Sequence, residues 1–124
     1  LRNALLRLHK TLLDSESALY DREVARLTSR TQLLGLLMHD PWFAWLRELS
    51  ALVAAIDEVL ADEEPTGVSV ADQFVAQSRA LVMPAEGARG FAGRYFEAIQ
   101  RDPDVVLAHG RTVKLLAGLA NERH

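Results

Sequence analysis

The stretch HDPWFAWLRELSALVAAIDEVL, residues 39–60, decides the fold. It holds both tryptophans, one of the four prolines and the cleanest helical pattern in the chain. Asp40 suits the N-cap, where its carboxylate accepts from an orphan N–H of the first turn. Pro41 suits the first helical position, which needs no intrahelical N–H bond. From there Trp42, Trp45, Leu46, Leu49, Leu52, Val53, Ile56, Val59 and Leu60 recur on one arc, with Arg47, Glu58 and Asp62 opposite. A helix patterned this way must bury its apolar face against several others.

Towards the N-terminus, residues 1–27 read as a long first helix. Leu1, Leu5, Leu8, Leu12 and Leu19 keep close to a seven-residue repeat, the spacing of a bundle seam. Leu6, Leu13, Tyr20 and Leu27 widen that stripe. Between the two rows lie Arg2, His9, Glu16 and Glu23, placed on the apolar arc although an unpaired buried charge is costly. Ser29 and Gln32 fit a capping box. The capped helix would be short, through Leu33, Leu34, Leu36, Leu37 and Met38. Being apolar nearly all round, it is expected to be packed on several sides, with Gly35 allowing a neighbouring helix to approach.

Beyond the central stretch, Ala61-Asp62-Glu63-Glu64-Pro65-Thr66-Gly67 reads as a loop. Ser69 and Asp72 give a weaker cap signal for a third helix over 70–82, with Val70, Phe74 and Leu81 inward. A fourth segment over 88–100 turns Phe91, Tyr95, Ala98 and Ile99 inward, although Gly90 and Gly93 weaken its first turn. Asp102-Pro103 repeats the start signal for a last helix over 103–119. Its expected inner arc is Val105, Val106, Val113, Leu116 and Ala120, with His109 in the middle. No strand-like alternation of useful length occurs.

At 124 residues the chain is expected to form one domain, spanning 1–124. Its 49% hydrophobic and 25% charged content belongs to a globular protein. A net charge of −3 argues against a general nucleic-acid binder. The absence of cysteine excludes disulfides, thiolate metal sites and cysteine catalysis. No apolar run reaches the ~18 residues of a membrane span, and no signal-peptide pattern opens the sequence. A cytoplasmic protein without membrane or nucleic-acid partners is the expectation. Leu1 is not a methionine, so further residues are expected to precede it.

Among the four histidines, His9 and His109 each fall on the buried arc of their own helix. With Glu16 they offer two nitrogens and one carboxylate, a set suited to zinc or non-haem iron. Against that, there is no His-Glu-x-x-His and no Glu-x-x-His of the di-iron bundles. His9 with Asp14 matches only a fragment of a hemerythrin pattern. The expectation is therefore no metal and no cofactor, with His9, Glu16 and His109 as the candidates should one bind. The favoured reading is a structural hydrogen-bonded cluster, with His9 and Glu16 facing the interior and His109 approaching one of them. His39 precedes an N-cap, where its ring can pack on a tryptophan, and His124 is terminal. No phosphate loop or Gly-x-Ser-x-Gly elbow is present. Arg89, Arg94, Arg101 and Arg111 form a modest basic set, read as a solvated face or as an anion or partner site. Phe43 and Phe96 lie off the main arcs and are the candidates for an intermolecular surface.

Leu37-Met38-His39-Asp40-Pro41-Trp42-Phe43-Ala44-Trp45-Leu46-Arg47, preceded by Leu6-Arg7-Leu8-His9-Lys10-Thr11-Leu12-Leu13-Asp14, resembles a family of small uncharacterised bacterial helical proteins. The resemblance implies a bacterial, cytoplasmic, helical protein and brings no activity or ligand with it. The expected fold is all-α, a helical bundle of four main helices plus one short helix, mostly antiparallel. The expected function is a non-enzymatic interaction or regulatory module that self-associates as a homodimer or meets a protein partner. The alternative is a small-ligand or metal-binding bundle, an enzyme included, with its site between the first and last helices.

Overall fold

The computed structural model describes residues 1–62 and 67–121, with Val68 described by its backbone alone. Glu63, Glu64, Pro65 and Thr66 of the expected loop, and His124, lie outside the described residues. The described chain is all-α and contains no strand. Its elements are α1 (Arg2–Glu23), α2 (Arg30–His39), a 3-10 turn (Pro41–Phe43), α3 (Leu46–Ala61), α4 (Val68–Leu81), α5 (Phe91–Arg101) and α6 (Pro103–Asn121). Six α-helices therefore replace the expected five, because the segment after Gly90 is a full helix. Among the described residues, no helix is long and apolar enough to cross a membrane.

The central stretch departs from expectation at its start. The Asp40 carboxylate does cap, accepting from the Trp42 N–H at 2.8 Å. The turn it caps is 3-10, however, and the α-helix begins only at Leu46. The tighter turn changes the phase of the side chains, so Phe43, expected on the surface, points inward. Trp45, Leu46, Leu49, Leu52, Val53 and Ile56 are buried as expected, Trp42 is partly buried and Leu60 is exposed. Arg47, expected on the polar side, donates from Nε to the Leu37 carbonyl at 3.1 Å and from Nη2 to the Asp40 carbonyl at 2.9 Å. It caps the Leu37 carbonyl at the end of α2 and adds a second donor to the Asp40 carbonyl, which also accepts from the Phe43 N–H at 3.2 Å.

Helix α1 packs against α6, α3 and α5; α4 packs on α6 and α3. The core joins Leu5, Leu8 and Leu12 of α1 to the buried face of α3, and to Val75, Val82, Phe91, Tyr95, Ala98, Val105 and Leu116. The first helix ends at Glu23 rather than near residue 27, and Leu6 is exposed. The arcs of α4 and α6 are rotated from those read off the apolar pattern. Ser78 and Thr112 are buried, while Val106 and Val113 are exposed. Each buried hydroxyl donates to the carbonyl four residues earlier, Ser78 to Phe74 at 2.7 Å and Thr112 to Ala108 at 2.8 Å. Satisfied within its own helix, a small hydroxyl residue packs like an apolar one.

Helix α5 starts where two glycines require it to. Gly90, its N-cap, has φ of +72°, a region that disfavours side chains. Gly93 lies so near the Ala88 carbonyl that a Cβ there would sit 1.8 Å from the oxygen. The glycines that weaken the helical pattern at this point are the ones that let the chain turn tightly into α5. Gly67, rather than Ser69, stands at the N-cap of α4 and makes no side-chain cap bond.

Candidate functional site

Glu16 sits at the middle of α1 and is 1% exposed. The seven-residue row that places it on the apolar arc is thus correct, and three donors answer its charge. Trp45 donates from its indole Nε1 to Oε1 at 2.8 Å. Arg94 approaches the same oxygen at 3.3 Å, and Arg101 donates to Oε2 at 3.1 Å. Arg101 also reaches the Ser15 hydroxyl at 3.1 Å. The arginines stand seven residues apart on α5, two turns along one face. The solvated face expected for them is corrected for this pair: both guanidinium groups turn in toward one buried carboxylate. Arg94 also lies over the Trp42 ring, 5.4 Å from its centroid.

Aromatic side chains surround this cluster. Trp45 meets Phe91 with centroids 5.2 Å apart, and Phe91 meets Tyr95 at 5.3 Å. Tyr20 packs edge-on against Trp42 at 5.8 Å and against Phe43 at 5.5 Å. Such contacts contribute about 0.5–1.5 kcal/mol each beyond burial. The cluster ties α1, the entry to α3 and α5 together. Both Glu16 oxygens accept from protein donors, Oε1 from Trp45 and Arg94 and Oε2 from Arg101.

His9 and His109 do not join Glu16. His9 Nε2 lies 2.6 Å from Ser50 Oγ on α3, and that hydroxyl donates to the Leu46 carbonyl at 3.2 Å. His109 Nδ1 lies 2.6 Å from the hydroxyl of Tyr95, which is fully buried. Burial lowers the pKa of both histidines from the ordinary value of 6.5. It raises that of the Tyr95 phenol, so Tyr95 donates and neutral His109 accepts. The three candidates thus bond to three different partner sets. Among the described residues, no group of three or more histidine, aspartate or glutamate side chains is placed to hold a metal ion.

A cleft of about 700 Å³ opens where α1, α3, α4 and α6 meet, lined by Ile56, Val59, Phe74, Val75 and Leu119 among others. Arg2 on its wall is ion-paired with Asp57. Binding sites for small substrates combine apolar walls with a few convergent polar groups. Among the described residues lining it, the polar side chains are Arg2 and Asn3, and Arg2 donates to Asn3 Oδ1 at 3.1 Å.

The surface candidates separate. Phe43, proposed as an interface residue, is 0% exposed and sealed against Tyr20, so it cannot meet a partner. Phe96 is half-buried on α5. The unexpected surface is α2. Its ten residues include Leu33, Leu34, Leu36, Leu37 and Met38, yet none of them is buried. Leu34 is 56% and Met38 64% exposed, while Leu33, Leu36 and Leu37 rest partly on the core. The all-round apolar composition signals packing on several sides, but among the described residues neighbours stand on one side only. No family model, curated protein or solved structure matches the chain.

Proposed function

We propose that the protein is a non-enzymatic interaction module, built as a helical bundle, that self-associates through α2. The observation that carries this reading is an apolar helix with no buried residue. Full burial of such a side chain is worth roughly 1.5–3 kcal/mol, and Leu34 and Met38, 56% and 64% exposed, leave about half of that unrealised.

A second copy fits this surface for two reasons. Gly35 stands near the midpoint of Arg30–His39, and nothing lies within 4 Å of where its Cβ would be. Glycine in a helix costs about 1 kcal/mol relative to alanine, and no contact among the described residues calls for it. A two-fold axis near Gly35 crosses two α2 helices where their backbones approach most closely. The charges favour the antiparallel crossing. The helix carries Arg30 at its start and no acid, so antiparallel pairing separates the two arginines by about 15 Å, the length of a ten-residue helix. That short contact lies at the low end of specific interfaces, and association in the micromolar range is expected.

Sedimentation velocity between about 1 and 100 µM tests the proposal, a range bracketing micromolar affinity. The expected result is a concentration-dependent shift from monomer to dimer that Leu34→Glu abolishes. A wild-type protein that stays monomeric at the upper concentration refutes it. So does a dimer that Leu34→Glu leaves unchanged.

A further inference from the structure

We infer that the groove between α1 and α6 binds an acidic amphipathic helix of a partner protein. This surface is separate from α2 and does not depend on self-association. The groove holds about 480 Å³ and is lined by Ala4, Arg7, Leu8, Lys10, Thr11, Ala108, Arg111, Thr112 and Leu115. A shallower hollow continues from it past Arg111 and Leu115 to Lys114.

Charge is the first argument. The chain carries a net charge of −3, yet Arg7, Lys10, Arg111 and Lys114 gather here and no acidic side chain is among the described residues lining either hollow. Lys10 pairs with Asp14 at 3.3 Å, at the end of the groove. Arg7, Arg111 and Lys114 are exposed and make no ion pair with any described residue. A cluster of one sign between low-dielectric walls focuses potential and attracts the opposite charge. Of the basic set noted in the sequence, Arg111 is a member that stays free for such a role, whereas Arg94 and Arg101 are taken up by Glu16.

Shape and apolar lining then select the class of ligand. The floor is made of small and aliphatic residues, Ala4, Leu8 and Ala108. Leu107 and Leu115, one turn to either side of Arg111, are exposed. A groove between two helices with an apolar floor and charged rims accepts an amphipathic helix, whose apolar stripe enters the groove while its charges meet the rims. No aromatic side chain lines the groove among the described residues, so base stacking has no platform here. A concave surface also mismatches a flat bilayer. These features favour an acidic helix over a nucleic acid or an anionic membrane.

The test uses the whole chain and a fluorescently labelled synthetic helix. The probe has about 18 residues, five turns, with leucine on one face and glutamate on the other. Fluorescence anisotropy should show saturable binding that weakens as salt rises from about 0.05 to 0.3 M, where screening tightens. Arg7→Glu combined with Arg111→Glu should weaken binding about tenfold or more, because like charges then face each other across the rim. Both residues are exposed, and Lys114→Glu alone should give a smaller loss in the same direction. The inference is overturned by a lack of saturation, by affinity indifferent to these reversals, or by tighter binding to phosphatidylserine vesicles or single-stranded RNA than to the acidic helix.

Discussion

The indole Nε1 of Trp45 donates to the buried Oε1 of Glu16 at 2.8 Å, joining the entry of α3 to the middle of α1. A carboxylate at that depth would be costly without donors. Trp45, Arg94 and Arg101 together turn it into a fixed point for three helices. Glu16→Ala would leave the indole N–H without its acceptor and two guanidinium groups without their counter-charge. The arginines are partly exposed and can recover water, so the expected loss is about 2–3 kcal/mol, below the usual figure for a wholly buried pair. Urea unfolding checks it. Combined with Trp45→Phe in a double-mutant cycle, Glu16→Ala, which removes the acceptor, should show a coupling of about 1 kcal/mol. Additive losses would mean that the indole bond contributes nothing to stability.

Glycines that look alike in the sequence should answer differently to alanine. Gly93→Ala places a methyl 1.8 Å from the Ala88 carbonyl oxygen, a backbone atom that cannot move aside without reshaping the turn into α5. A loss above about 2 kcal/mol is expected. Gly118, in α6, has nothing within 4 Å of its Cβ position. Gly118→Ala should stabilise by up to about 1 kcal/mol through helix propensity. Thermal melts of the two variants compare the predictions directly. Equal effects would show that the packing at Ala88 is not the constraint.

How much of this is legible in the sequence depends on what each side chain needs. The seven-residue row places Glu16 on an apolar arc, and spacing suffices there because α1 is a regular helix. Its partners lie 29, 78 and 85 residues away, and nothing local announces them. Heptad spacing between Arg94 and Arg101 is a usable signal, but arginines are usually solvated and the pattern alone does not outweigh that. Spacing also places His109 on its arc, yet its partner is Tyr95, a hydroxyl that an apolar count treats as ring surface. Phe43 is misplaced by periodicity because one turn of 3-10 helix shifts the phase that the α-helical period assumes. Helix α2 misleads for another reason. Composition tells how much apolar surface a helix has, while the number of neighbours is set by the whole topology.

Acid should destabilise the protein through its histidines. Burial lowers the pKa of His9 and His109, so near and below the ordinary value of 6.5 the unfolded chain binds more protons than the folded one. Stability then rises with pH across that window and falls as pH drops through it. Protonated His109 also loses the lone pair that accepts from Tyr95. Urea midpoints measured from about pH 7.5 down to 5.5, spanning the histidine range, should decline. His9→Gln combined with His109→Gln should flatten that decline. An equal slope in the double variant would assign it to other groups.

Gly35→Ala separates the stability of one subunit from the association of two. Within the chain the added methyl meets nothing within 4 Å, and alanine is the better helix former. The monomer should therefore gain up to about 1 kcal/mol. If two α2 helices cross at this residue, the same methyl holds the backbones apart and weakens every contact made by Leu34 and Met38. Overpacking a close contact costs about 1–3 kcal/mol, which corresponds to roughly a 5- to 150-fold rise in the dimer dissociation constant. Thermal unfolding at low concentration and sedimentation at high concentration should thus move in opposite directions for one substitution. Leu34→Glu cannot give that pattern, since it offers the monomer no helix-propensity gain. A Gly35→Ala protein that is more stable and dimerises as before would place any self-association on another surface.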